Sequence, residues 1–335
     1  MIKTLWGIIC CTCLLGSCTS PNDTTIFLSG KTQGTTYHIT YLSPNGKAFQ
    51  KEIDAILKNI DASMSTWEPN SIISRINDND TTVVIDDYFR RVYTQSVVIS
   101  EATEGAFDCT IGPLVNAYGF GSTTKKTLDK TKVDSLLQLV NYRKITLRNN
   151  KIIKEKPEIK IDFNAIAQGF SVDILADFLE RQGIKNYLIE IGGEIKTKGK
   201  KGKNNWKVGI EQPIDNPDSQ RNLEAIITLE NKALATSGNY RKFYVEGNQK
   251  FSHIINPKTG YPAKHNLLST TVIADDATTA DAYATAFMVM GLSKSIAFIE
   301  KNKHLHLEAY FIYDEKGNWK TYASESLKTR IQKAD

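Results

Sequence analysis

The chain lacks the sequence features of several large classes of protein. Its 42 Lys and Arg residues against 37 Asp and Glu give a net charge of only +5, and no basic stripe interleaved with aromatic residues indicates nucleic-acid binding. Neither a P-loop nor a dinucleotide-binding glycine fingerprint occurs. A hydrophobic content of 41% and a charged content of 24% match a packed globular protein, which excludes a wholly disordered chain and a multi-span membrane protein.

The N-terminus indicates an export signal. Lys3 supplies a positive start, and the apolar run Leu5–Leu15 is too short to span a bilayer as a helix. Gly16 and Ser17 then precede Cys18, as in the bacterial lipobox. We expect a signal peptide over 1–17, lipid on Cys18, a tether over 18–25, and a membrane-anchored lipoprotein facing the periplasm. The alternative is an uncleaved hydrophobic tail with a chance cysteine.

Cysteine is scarce in what remains of the chain. Three of the five cysteines lie within the expected signal peptide and Cys18 ends it, so the mature body keeps Cys109 alone. An intramolecular disulfide is therefore excluded, and so is a cysteine metal cluster. We expect Cys109 to be a small buried residue rather than a nucleophile.

Strand-like and helix-like patterns alternate along the body of the chain without a linker between them. Apolar residues at helical spacing predict helices over 48–64, 86–103 and 277–290, and alternating patterns predict strands over 194–198, 206–211 and 223–229. A further strand is expected over 159–163, leading into a helix. We therefore predict an α+β protein with one domain over 26–325, followed by a charged tail over 326–335.

Asp281 and Thr285 form the strongest local arrangement. They stand at i and i+4 in a predicted helix, so both side chains share one face. A carboxylate and a hydroxyl offer only oxygen, which suits Mg²⁺ or Ca²⁺ rather than zinc. The alternative is structural: Thr285 bonds back to its own helix and Asp281 caps it.

Two further segments carry groups suited to catalysis or binding. From Asp162 to Gln168 a strand feeds a helix, whose N–H groups could attract phosphate and whose preceding carbonyls could bind a hard cation. The alternative is an ordinary helix cap. His253 stands before a Pro-Gly turn, where it could act as a general base, although a lone histidine can equally be structural.

Glycines and aromatic residues are mixed in three places. Trp67 lies between a helix end and a proline turn, Phe107–Gly121 interleaves aromatics with glycines, and Gly192-Gly193 separates two strands. Such segments suit a flat ring such as a flavin or adenine, because glycine permits close backbone approach. Core packing or a strand bulge is the alternative in each case.

Taken in order, these pieces resemble the ApbE family of FAD:protein FMN transferases. The resemblance covers nearly all of the mature chain. It rests on Gly34–Tyr37, Met64–Asn77, Phe107–Gly121, Asp162–Phe170, Ile191–Glu194, Ala235–Gly238, His253–Pro262 and Ala280–Ala286.

The resemblance implies a fold and an activity. The fold is the family's α+β architecture, related to the T-fold, with a largely antiparallel sheet flanked by helices. The activity is Mg²⁺-dependent cleavage of FAD, with FMN linked to a Thr or Ser hydroxyl of an acceptor protein and AMP released.

The resemblance also implies roles for named residues. Asp281, Thr285 and the Ala165 carbonyl hold Mg²⁺, His253 and Asp281 are catalytic, and the residues that contact FAD are Trp67, Ala106, Phe107, Asp108, Asp162, Gln168, Gly193 and His253.

The chain departs from the family pattern at two positions. Asn256 stands where Asp is usual, and Gln168 where Lys or Glu is frequent, so each position loses a charge but keeps its hydrogen bonds. Two other functions stay open. A Mg²⁺-dependent FAD pyrophosphatase would use water as the nucleophile in the same site, and a flavin-binding lipoprotein would perform no chemistry.

Overall fold

The computed structural model describes residues 23–121, 128–213, 222–239, 243–246 and 249–334. The expected signal peptide and Cys18 lie outside the described residues. Within these ranges the strands are β1 (Thr24–Thr32), β2 (Thr35–Ser43), β3 (Ile145–Arg148), β4 (Lys151–Lys154), β5 (Tyr187–Ile191), β6 (Glu194–Lys198), β7 (Trp206–Glu211), β8 (Leu223–Leu229), β9 (Ala233–Gly238), β10 (Phe243–Glu246), β11 (Gln249–Ser252), β12 (Leu267–Ala274), β13 (Glu308–Glu315), β14 (Asn318–Ala323) and β15 (Ile331–Lys333).

The helices of the same ranges flank these strands. They are α1 (Gln50–Met64), α2 (Ile72–Asn77), α3 (Asp87–Ala102), α4 (Gly112–Ala117), α5 (Lys130–Leu137), α6 (Ala167–Arg181), α7 (Ala277–Met290) and α8 (Leu292–Lys301). Across the described ranges, no helix combines the length and the apolar character needed to cross a membrane.

A central antiparallel sheet organises the molecule. Its strand order is β1-β2-β5-β6-β9-β12-β13-β14, and every neighbouring pair is antiparallel. Helices α6 and α7 pack against each other and against one face, with α7 over β9 and β12. A three-stranded sheet, β15-β8-β7, packs against the opposite face through Ile195, Ile227 and Leu234. The expected α+β fold with a largely antiparallel sheet is confirmed.

The segment 159–163, expected as a strand, does not form one. The side chain of Asn77 pins it instead: Asn77 Nδ2 donates to the Ile161 carbonyl at 2.8 Å, and Ile161 N–H donates to Asn77 Oδ1 at 2.7 Å. A side-chain amide thus satisfies the backbone groups that a neighbouring strand would otherwise pair.

Both expected ends of the domain need correction. β1 begins at Thr24, inside the expected tether over 18–25. At the other end, 326–335 is not a free tail, because Ile331–Lys333 forms β15 and pairs with β8. Leu327 is also fully buried under the small sheet. The folded body therefore extends from Thr24 to at least Lys333.

Candidate active site

Asp281 lies in the interior of α7 and is almost completely buried. The helix begins at Ala277 and is capped by Asp276, whose Oδ1 accepts the Thr279 N–H at 2.7 Å. Asp281 is therefore one turn inside the helix, with 6% of its surface exposed. The structural alternative in which Asp281 caps this helix is wrong.

A single backbone group from α6 holds the Asp281 carboxylate. Gly169 N–H donates to Asp281 Oδ2 at 3.0 Å. A side chain at position 169 would not fit, because its Cβ would stand 2.2 Å from the Ala277 carbonyl oxygen and 2.8 Å from Asp281 Cβ. Glycine at this position thus allows α6 and α7 to approach until the backbone reaches the carboxylate.

Burial makes the charge of Asp281 unfavourable. Desolvation raises the pKa of this carboxyl to about 7, and the Gly169 N–H opposes the shift only in part. A buried carboxylate needs a positive partner to stay ionised at neutral pH. A bound cation would supply that partner.

Thr285 extends the oxygen cluster by one helical turn. Its Oγ1 lies 3.1 Å from Oγ of Ser237, which stands on β9. The Thr285 hydroxyl therefore has a partner outside its own helix. Among the described residues no three His, Cys, Asp or Glu side chains group as metal ligands, so the oxygens available here are carboxylate, hydroxyl and carbonyl.

Ala165 and Gln168 lie where the chain enters α6. Ala165 is in the turn that precedes the helix, four residues before Gly169. Gln168 lies against the turn between β5 and β6, because a Cβ on Gly192 would stand 2.9 Å from Gln168 Nε2. Gly192 also has a positive φ of 66°. The turn therefore needs glycine both for its backbone conformation and for the close approach of Gln168. In the same turn Gly193 N–H donates to Glu190 Oε1 at 2.8 Å.

Asp162 lies beside the 107–121 segment. Its N–H donates to the Cys109 carbonyl at 2.8 Å, and its Oδ1 accepts the Asn164 N–H at 2.7 Å. Burial raises the pKa of the Asp162 carboxyl. Cys109 is free and buried, as expected, and desolvation raises the pKa of its thiol well above the usual value.

The Asp108 carboxylate accepts hydrogen bonds from its own loop and from Tyr142. Its Oδ1 accepts from Thr110 N–H and Oγ1 at 2.8 and 2.6 Å, and its Oδ2 accepts from Tyr142 N–H at 2.9 Å. Ala106 and Phe107 are buried beside it in the largest apolar cluster. The side chains of the 106–108 stretch are therefore committed to hydrogen bonds and core packing in this structure.

His253 and Trp67 belong to surface turns. The His253 ring packs edge-on against Phe120, with centroids 6.1 Å apart. The following turn is fixed by Asn256, whose Oδ1 accepts the Lys258 N–H at 2.8 Å, a bond that the aspartate usual at this position would also make. Trp67 is 63% exposed in the loop after α1, so its ring is open to a ligand.

The chain is similar in sequence and structure to proteins of one known family. The sequence model of the ApbE family matches residues 33–311. The chain belongs to the ApbE family. A relative from Haemophilus influenzae named FAD:protein FMN transferase is 38% identical, covering 98% of each chain, and one of the same name from Vibrio cholerae is 36% identical, covering 96% of each. The solved flavin transferase ApbE from Vibrio cholerae superposes with a TM-score of 0.81 at 35% identity, covering 92% of this chain and 99% of that one.

Two features of this ApbE-family site escaped the sequence analysis. Ser237 lies within the family-like segment Ala235–Gly238, yet nothing local gave it a role, since its partner is 48 positions away in the chain. Gly169 likewise has no role that its local sequence reveals, and its N–H donates to the Asp281 carboxylate. Only the Asp281–Thr285 spacing was visible in the sequence.

Proposed function

We propose that the chain is a Mg²⁺-dependent FAD:protein FMN transferase. The observation that carries the metal site is the buried Asp281 carboxylate, bound on one oxygen by Gly169 N–H and followed one helical turn later by the Thr285 hydroxyl. The reaction is supported by the family and by the printed names of its relatives.

The oxygens present fit Mg²⁺. Asp281 keeps Oδ1 for a cation after Oδ2 has accepted from Gly169, and Thr285 and the Ala165 carbonyl provide uncharged oxygens. Mg²⁺ prefers one or two carboxylates together with neutral oxygens, water and substrate phosphates. Bound here, it would neutralise charge on the pyrophosphate oxygens of FAD.

The remaining residues bind the donor and move one proton. The acceptor hydroxyl oxygen bonds to the FMN phosphorus while the bond from that phosphorus to the AMP oxygen breaks, and AMP leaves with the electron pair. His253 takes the hydroxyl proton, as a general base in a positioned turn can. Trp67 supplies a ring face for the flavin or adenine, and Asp162, Gln168 and Gly193 border the donor with the 106–108 backbone.

The membrane location is a proposal from the sequence alone. Lys3, the Leu5–Leu15 run and the small residues before Cys18 support a lipid anchor on Cys18. The catalytic body would then act at a membrane surface facing the periplasm, on an acceptor protein within reach of the tether.

The test is a labelling reaction with the purified chain, FAD, Mg²⁺ and a flavin-acceptor domain. We expect a covalently fluorescent acceptor on a denaturing gel, one AMP for each flavin attached, and loss of both products with EDTA. AMP and free FMN without a labelled acceptor, for every acceptor domain tried, would replace transfer by FAD hydrolysis. Tight FAD binding without either product would contradict catalysis altogether.

A further inference from the structure

A hydroxyl pair connects the proposed metal site to the central sheet. Ser237 Oγ on β9 and Thr285 Oγ1 on α7 lie 3.1 Å apart. β9 is an interior strand, paired with β6 on one side and with β12 on the other, where Ser237 stands opposite Thr270. β6 pairs only with Ala233 and Leu234, so the Ser237 oxygen is held by the pairing of its strand with β12.

A threonine hydroxyl that ligates a cation must direct a lone pair at the ion and its proton elsewhere. In a helix, threonine divides between two χ1 rotamers, because its hydroxyl can also bond back to a carbonyl three or four residues earlier. For Thr285 the carbonyl at i−4 belongs to Asp281. A Thr285 hydroxyl bonded to that carbonyl would be turned along its own helix and fixed by a competing partner.

We propose that Ser237 is a positioning residue. Its Oγ accepts a hydrogen bond from the Thr285 hydroxyl and thereby orients a lone pair of Thr285 Oγ1 toward the cation. The inference rests on the proposed function, since Thr285 must be a metal ligand for the contact to matter. Ser237 acts on the metal through Thr285, as partners of metal ligands commonly do by fixing the ligand's orientation.

The neighbouring residue on β9 provides a matched control. Thr236 Oγ1 lies 2.9 Å from Thr271 Oγ1, so it too joins β9 to another element by a hydroxyl pair. Successive side chains of a strand point to opposite faces, so Thr236 faces the small sheet and not α7. Thr236→Val removes a hydroxyl pair of the same kind without touching Thr285.

The test measures metal binding directly, with Mn²⁺ as an electron paramagnetic resonance probe on the metal-free full-length protein in detergent. Ser237→Thr and Ser237→Val have nearly the same shape and differ in the hydroxyl, so the pair isolates the hydrogen bond from any packing change. We expect Ser237→Val to raise the Mn²⁺ dissociation constant about tenfold to a hundredfold relative to Ser237→Thr. Thr236→Val should stay within about twofold of the wild type. Ser237→Ala serves as a third variant free of added methyl groups.

A second measurement separates positioning from general damage. Turnover of Ser237→Val should recover as Mg²⁺ is raised, because the variant loses metal affinity and not the reacting groups. Equal Mn²⁺ affinity in Ser237→Val and Ser237→Thr would overturn the role of Ser237 while leaving the metal site standing. A wild-type protein that binds no Mn²⁺ would overturn the metal site itself, and this inference with it.

Discussion

Asp173 offers a sharp test of how the site is held together. It lies on α6 with its side chain buried, and its Oδ1 accepts from Ala277 N–H at 3.0 Å and from Lys196 Nζ at 2.8 Å. Its Oδ2 accepts from Thr278 N–H at 2.8 Å and Thr278 Oγ1 at 2.6 Å. One carboxylate therefore caps α7 from outside and neutralises a lysine of β6.

Removing this carboxylate should be unusually destabilising. The Lys196 side chain is only 19% exposed. Burial alone would lower its pKa, yet the charge and hydrogen bond of Asp173 more than compensate, so the pKa of Lys196 is raised. Breaking a buried pair by deleting one partner typically costs about 3–5 kcal/mol, because the other charge stays buried. The two N–H groups of α7 lose their cap as well, which is worth about 1 kcal/mol.

We expect Asp173→Ala to lower the free energy of unfolding by about 4 kcal/mol, or the melting temperature by about 6 °C for a chain of this size. The measurement is urea unfolding followed by circular dichroism, with thermal melting as a second readout. Asp177→Ala is the matched control, because it lies one turn along the same helix in a half-exposed pair with Arg91 at 3.8 Å. Exposed pairs of this kind contribute about 0–1 kcal/mol.

The double variant Asp173→Ala/Lys196→Met identifies the cause. If the unpaired ammonium dominates, replacing it with an apolar side chain should return about 2 kcal/mol of the loss. If Asp173→Ala is no more destabilising than Asp177→Ala, the reasoning from burial and capping is refuted. If the double variant is as unstable as the single one, the helix cap is the larger effect and not the ion pair.

Four further predictions concern the proposed active site. Gly169→Ala should lower the free energy of unfolding by about 1–3 kcal/mol, because the added Cβ would clash with the Ala277 backbone. Denaturant unfolding measures this loss, and unchanged stability would contradict the close approach of α6 and α7. Asp281→Ala should abolish Mg²⁺-dependent turnover while circular dichroism shows a retained fold; full activity would exclude Asp281 as a metal ligand. Burial raises the pKa of Asp281 to about 7, so protons compete with the metal below that pH. The apparent Mg²⁺ affinity, measured by calorimetry, should therefore fall about tenfold for each pH unit below 7 and level off above it. An affinity that does not change from pH 5 to 7 would refute the raised pKa of Asp281. His253→Ala should slow flavin transfer far more than it weakens FAD binding by fluorescence titration, and equal losses would make His253 a binding group.

Local pattern was enough to predict much of the sheet. β6, β7, β8 and α7 have the bounds expected from the sequence. Each of these strands alternates buried and exposed side chains, or lies between glycine and polar turns, so its ends are visible locally. The Asn149-Asn150 pair is likewise a local turn signal for the hairpin of β3 and β4, and both residues adopt positive φ in that turn.

The sequence-based predictions are wrong where a residue distant in the chain determines the local structure. The 159–163 segment has the apolar alternation of a strand, but its partner is the Asn77 side chain, 84 positions away from Ile161. The last residues look like a polar tail, yet Ile331 pairs with Ile227 and completes the small sheet. In each case the sequence near the segment lacks the information that fixes it.

The same distinction applies to the oxygen cluster of Asp281 and Thr285, and it explains why only part of that cluster can be recognised in the sequence. Asp281 and Thr285 share one helix, so the helical period alone places them on one face. Gly169 and Ser237 reach that face only because α6 and β9 pack on α7, and neither carries a motif of its own. A carboxylate one turn inside a helix and almost fully buried is unfavourable unless such neighbours and a cation surround it. The tertiary contacts of α6 and β9 therefore turn an ordinary helical pair into the oxygen cluster that we propose binds Mg²⁺.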